Sequence, residues 1–498
     1  MFTGACPMSR FSPDSPFAGL SPDIVWKHFA RLCATPRPSK GEGPLRDALL
    51  DWARGRGLAA MVDAAGNLIL KKPATSGREG APGVILQGHL DMVCQKNAGS
   101  AHDFSRDPIV PALRDGWLVA EQTTLGADNG IGVALILAAL EDDSLAHGPL
   151  EALLTVDEEA GMGGARGLPP GLLDGRLMLN LDTEDWGDFY LGCAGGVDVD
   201  VRRAATPEAV PAAHRFVRIA LGGLRGGHSG VDIHEERGNA IKLLVRVLQR
   251  LAVRTPFRLA TLAGGTARNA LPREAVATLA LPASEDPLDG WLATMADELR
   301  DELAGVDDGL TLRADPCAEA PVMAAAEQTR WLSALHAAPH GVRRMSRRLP
   351  GVVETSNNLG IVDLRADGGN AHFMVRSLVD RAGVALADEI VSLFGLAGIP
   401  AVQSGFYPGW APNPGSPLLA VCQSVYRREF GGESRVRVVH AGLECGIIGE
   451  KYPGLDIVSF GPTIRGAHAP GERVEVAAVA RCWHLLTAIL AELSGEGR

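Results

Sequence analysis

The amino-acid sequence predicts an α/β protein, a mixed β-sheet flanked by helices, with an inserted α+β domain. Three observations point there. Amphipathic helical stretches alternate with short apolar strands along the first 190 residues. Carboxylates and histidines stand just beyond several of those strands, where open α/β sheets bind their ligands. Near Gly195 a second region begins, where alternating segments precede a helical stretch, as in an α+β domain.

In order, Ser21 and Pro22 read as an N-cap and first turn leading into a helix over Asp23–Cys33, and Gly43–Arg56 repeats the helical spacing. Leu58–Val62 and Leu68–Lys71 read as strands about the Gly66-Asn67 turn, and Val84–Gln87 as a buried strand. A helix over Gly130–Leu140 follows, then strands Ala152–Val156 and Leu177–Leu181. Beyond Gly195, the strands Val197–Val201 and Arg215–Leu221 precede a helix over Gly238–Val253, and Ala382–Leu396 reads as the last helix before Pro400. These signals divide the chain into a loose tail (1–20), a discontinuous α/β domain (21–194 and 401–498) and an inserted domain (195–400).

At 498 residues the chain is too long for one core, and its 46% hydrophobic and 21% charged content is that of a globular protein. No apolar run reads as a membrane span. A net charge of −11 argues against nucleic-acid or anionic-membrane partners and leaves room for cations. Eight cysteines without a CxxC pair indicate a reducing compartment rather than a disulfide framework, and residues 1–21 lack the basic and apolar regions of a secretory signal. A cytoplasmic protein is the expectation.

Five short segments carry the chemistry. Gln87-Gly88-His89-Leu90-Asp91 places an imidazole after a buried strand, with Asp91 on the same side to orient its ring. Asp128, in a glycine-flanked turn ahead of an apolar helix, has two readings: an N-cap, or a carboxylate shared by two cations. Asp157, Glu158 and Glu159 end another strand, where a divalent cation would relieve their repulsion. Asp182 ends a fourth strand, and His468 lies in the Gly/Pro-rich loop Gly461–Glu472. His89, Asp128, Glu159, Asp182 and His468 together form a ligand set suited to zinc or manganese, with Glu158 as general base on a shared water.

These residues resemble the metallopeptidase M20 family, and more narrowly its Xaa-His dipeptidase (aminoacyl-histidine dipeptidase) branch. The resemblance rests on LQGHLDMVCQKN (86–97), TLGADNGIG (124–132), LLTVDEEAGMGGA (153–165), LNLDTEDWG (179–187), LRGGHSGVDIHEERGNA (224–240) and SFGPTIRGAHAPGERV (459–474). It implies a zinc-peptidase-like catalytic domain with His89 and Asp182 on one metal, Glu159 and His468 on the other, and Asp128 bridging. It further implies that Asp91 holds His89, that Glu158 is the base, and that the insert is a lid and dimerisation domain whose His228 stabilises the oxyanion. Arg268 and Asn269 resemble the segment that reaches the substrate carboxylate, and Glu444 a residue for its free amine; a surface loop or a structural role is the plain alternative. The resemblance implies a homodimer with two divalent ions, Zn2+ first and Co2+ or Mn2+ next, hydrolysing unblocked dipeptides such as β-Ala-His. An N-acyl amino acid deacylase or carboxypeptidase would keep every ligand and change only the pocket. A non-catalytic peptide-binding homologue would have lost one. No HExxH, GxxxxGK[ST] or GxSxG motif supports another chemistry.

Overall fold

Four short strands, Leu150–Thr155, Val84–His89, Leu177–Asn180 and Asp456–Ser459, run parallel and nearly wholly buried at the centre of an eight-stranded sheet. Burial on both faces explains why they read as apolar runs without alternation. The computed structural model describes residues 12, 15–210, 213–283 and 288–495. It divides into two units, the first comprising the chain up to Leu191, Pro412–Val438 and Ile447 onward, the second Gly192–Ala411 and Val439–Gly446.

In the first unit the strand order is Ala59–Val62, Leu68–Lys72, Leu150–Thr155, Val84–His89, Leu177–Asn180, Asp456–Ser459, Asp188–Cys193 and Arg435–Val439. Register places His89 beside Thr155, Gln87 beside Asn180, and Asn180 beside Ser459, so the four carboxyl ends finish along one edge. Below that edge Gln87, Thr155, Asn180 and Ser459 satisfy one another across the strands, which lets polar side chains occupy the core. The helix Ala127–Glu141 is apolar all round and fully inside, packed on the sheet and on the helix Asp23–Ala34.

The second unit is a nine-stranded antiparallel sheet. Alternate residues of its strands (Val197, Val199 and Val201; Val217, Ile219 and Leu221) join one core with the helices Ala240–Arg254, Leu288–Glu302, Ala325–Ala337 and Asp380–Leu396. Asn239 caps the first of these through hydrogen bonds from Ile241 and Lys242 N–H.

Four expectations change. Ser21 makes no cap; Pro22 stands at that position in extended conformation. Residues 1–11, 13 and 14 of the loose tail lie outside the described residues, but Phe17 is buried against Trp26 and Phe29 and belongs to the first core. A boundary at Pro400 falls one strand early, because Ala401–Tyr407 pairs with Gly195–Ala204, and Val439–Gly446 returns to the second unit. The helix Val476–Leu493 is long and apolar enough to cross a membrane by composition; Val479, Cys482, Leu485, Leu486 and Ile489 instead pack into the first core.

Candidate metal centre

At the edge where the parallel strands end, the first unit gathers seven of the residues singled out in the sequence. His89 is the last residue of its strand, 1% exposed. Its Nδ1 meets the Asp91 backbone oxygen at 3.2 Å and Oδ1 at 3.4 Å, so this nitrogen donates. Nε2 is thereby turned outward, 3.2 Å from Asp128 Oδ1 and 3.4 Å from Asp182 Oδ1. The other oxygen of Asp128 lies 3.3 Å from His468 Nε2, which also stands 3.1 Å from Glu159 Oε2. Three groups thus place potential ligand atoms within 4.8 Å of one another: His89, Asp128 and Asp182; Asp128, Glu159 and His468; and His89, Glu158 and Glu159.

Of the two readings of Asp128, the N-cap is not the one seen. Asp128 and Asn129 have non-helical angles within the first turn, and no side-chain cap bond forms there. Asp91 takes up the N–H groups that the acidic turn presents. Its two oxygens accept from Glu158 N and Glu159 N at 3.1 Å each, and Ser39 Oγ donates to Oδ2 at 2.7 Å. Burial would raise the Asp91 carboxyl, but bonds from His89, Ser39 and Glu158 hold it down to about 2. Glu42 accepts from Asp157 N at 2.8 Å and completes the support of this turn.

The ligand set fits divalent cations. Glu159 Oε1 is buried without a hydrogen-bond partner, an arrangement that costs free energy unless a cation or proton meets it. Hydrogen bonds to Asp128 and Glu159 push His468 up to about 11, and burial pushes Asp182 up to about 6. Cation binding at these raised groups would displace protons. His468 lies at φ 65°, in the left-handed region, and its side chain is 53% exposed while His89, Asp182 and Glu159 are enclosed.

The remaining candidates lie in the second unit. His228 pairs through the short strand Gly227–His228 with Ala270–Leu271, and its Nδ1 accepts from Gly230 N (3.2 Å) and Val231 N (3.1 Å). That tautomer leaves the proton on Nε2, as an oxyanion donor requires. Arg268 is engaged by Asp198; the Asn269 backbone oxygen accepts from Ser229 N at 2.8 Å; Glu444 is fully buried at the head of the helix Glu444–Lys451. Three residues were missed. Arg376, 4% exposed, donates to the Tyr407 hydroxyl at 2.9 Å, and among the described residues no carboxylate pairs with it. Arg37 and Glu472 brace the metal-ligand turns. Arg37 and Arg376 carry no local signal, because an arginine's burial is decided by tertiary packing; Glu472 was visible only as the end of a motif.

Carboxylates and imidazoles converging in pairs at the strand ends of an α/β sheet define the class of metal-dependent hydrolases. The chain belongs to peptidase family M20/M25/M40, whose model matches residues 85–492. It is 43% identical to the cytosol non-specific dipeptidase of Escherichia coli K12 over 484 residues, covering 97% of this chain and 100% of that protein. The crystal structure of aminoacylhistidine dipeptidase from Vibrio alginolyticus superposes with a TM-score of 0.85 at 43% identity, covering 96% of this chain and 98% of that one. Aminopeptidase PepT of Bacillus cereus shares the fold at 18% identity and a TM-score of 0.55, covering 95% and 99% of the two chains.

Proposed function

We propose that the protein hydrolyses unblocked dipeptides, Xaa-His dipeptides among them, at a dinuclear centre of Zn2+, with Co2+ or Mn2+ as substitutes. The observation that carries this reading is Asp128, whose two oxygens face His89 on one side and His468 on the other. His89 and Asp182 would hold one ion, Glu159 and His468 the second, and Asp128 both. When bound, such a pair polarises the scissile carbonyl and lowers the pKa of a water.

Glu158 accepts the proton of the attacking water and passes it to the leaving amine. A Glu158 oxygen lies within 4.8 Å of potential ligand atoms of His89 and Glu159, and its backbone is fixed by Asp91. His228 donates Nε2–H to the oxyanion. For the substrate carboxylate Arg376 is a better candidate than Arg268, because Arg268 is already engaged by Asp198, whereas the buried Arg376 guanidinium makes no ion pair among the described residues. Asn269 and Glu444 are the further substrate contacts proposed. A cytoplasmic homodimer is the proposed working form.

Hydrolysis of β-Ala-His, Ala-His and their N-acetylated analogues by metal-reconstituted protein, with and without chelator, tests this. Chelator-sensitive cleavage of the unblocked dipeptides alone is the expected result. Cleavage of the acetylated compounds alone would move the activity to a deacylase.

A further inference from the structure

Glu472 is 2% exposed, and its carboxylate is spent on backbone. Oε2 accepts from Leu125 N (2.7 Å) and Gly126 N (2.9 Å), and Oε1 from Ala127 N (2.8 Å) and Asp128 N (3.2 Å). Four successive N–H groups, at and just before a helix start, thus converge on one buried anion. On the opposite side Arg37 donates to Gly126 O at 2.5 Å, and to Leu90 O and Asp91 O at 2.9 and 2.8 Å. Gly126 lies at φ 68°, and a Cβ there would stand 2.8 Å from Met92 Sδ, so the turn tolerates no side chain.

The placement of Glu472 links two ligands. Ile464–Arg465 pairs with Arg473–Glu475, and the loop between them carries both His468 and Glu472. We propose that Glu472 is a positioning residue that fixes the two oxygens of Asp128 against His468, so that the second cation position exists before any ion arrives. Arg37 ties the same turn to the His89 segment. The inference rests on the dinuclear reading above.

Zn2+ titration calorimetry and the Co2+ absorption spectrum of Glu472→Gln test it, beside the thermal midpoint of the metal-free protein. Gln offers one acceptor oxygen where Glu offers two, and turns an NH2 toward two N–H donors. The weaker-bound ion is expected to lose roughly 10–100-fold in affinity, with an altered Co2+ spectrum. Glu472→Asp, which keeps the charge but shortens the reach, should fall between Gln and wild type. Wild-type affinity for both ions in Glu472→Gln would overturn the proposal, as would a lowered thermal midpoint with unchanged affinity and spectrum. Hydrogen exchange on the unaltered protein gives a measurement independent of any variant: amides 125–128 should be protected with and without metal. Their exchange at unstructured rates in the metal-free protein would also overturn it. If the unaltered protein binds no Zn2+, the dinuclear reading itself fails first.

Discussion

Gly132→Ala should damage the centre although Gly132 touches no ligand. Gly132 lies in the helix that follows Asp128, and an added Cβ would stand 2.6 and 2.7 Å from Asn129 Oδ1 and Nδ2, and closer still to the Leu181 carbonyl oxygen. Ordinary contact needs about 3.4–3.5 Å, so Asn129 must withdraw by about 0.8 Å and the Leu181 oxygen by more. Neither can yield independently, because Asn129 Nδ2 donates to that same Leu181 oxygen at 2.6 Å in a fully buried setting. Leu181 precedes Asp182 and Asn129 follows Asp128, so the methyl group acts as a wedge between the two carboxylates that flank His89. Overpacking of this kind costs about 1–3 kcal/mol, offset by up to about 1 kcal/mol from alanine's helix propensity. A fall in thermal midpoint of about 2–6 °C follows. Misplacement near 1 Å at a reacting centre costs about 100-fold, which sets the expected loss in kcat/KM. Gly395→Ala is the control: it is also helical, yet nothing lies within 4 Å of the new Cβ, so it should stabilise by about 0.5–1 kcal/mol and leave kcat/KM unchanged. A Gly132→Ala protein with unaltered kcat/KM and two bound ions would refute the reasoning.

Three further outcomes are expected. Glu158→Ala should keep both metals by elemental analysis and lose turnover by roughly 100- to 10,000-fold, the usual worth of a general base; near-normal kcat would remove Glu158 from that role. Asp128→Ala should release metal on dialysis, because both positions share this carboxylate, and retention of two ions would contradict the bridge. His340 is held down to about 4 by burial and then by Lys242. The unfolded chain therefore binds the extra proton between about pH 4 and 6.5, and this contribution to stability is complete above 6.5 and lost as pH falls toward 4. Its size is roughly 3 kcal/mol, and His340→Gln should flatten the acid limb of a denaturation-midpoint profile by that amount; an unchanged limb would place the proton elsewhere.

The sequence by itself determined the parts that depend on neighbours along the chain. Strand periodicity and the residues at or just beyond strand ends made His89, Asp91, Glu158, Glu159 and Asp182 legible, a glycine-flanked turn before a helix did so for Asp128, and a Gly/Pro-rich loop for His468. A parallel sheet aligns the carboxyl ends of its strands, so order along the chain becomes proximity in space. The alternating segments beyond Gly195, followed by a helical stretch, likewise announced an α+β insert. What only the tertiary structure decided was which partners distant residues acquire. Pro400 reads as a boundary, yet the strand after it pairs two hundred residues back. No apolar run reads as a membrane span in the sequence, yet the helix Val476–Leu493 is long and apolar enough by composition, and one face of it packs into the first core. Arg268 reads as an available guanidinium until Asp198 meets it, while Arg376 is buried and makes no ion pair among the described residues. Glu472 stands 344 residues from the Asp128 N–H it accepts. No local pattern encodes such a bond, because its strength comes from excluding water around four N–H groups brought together only by folding.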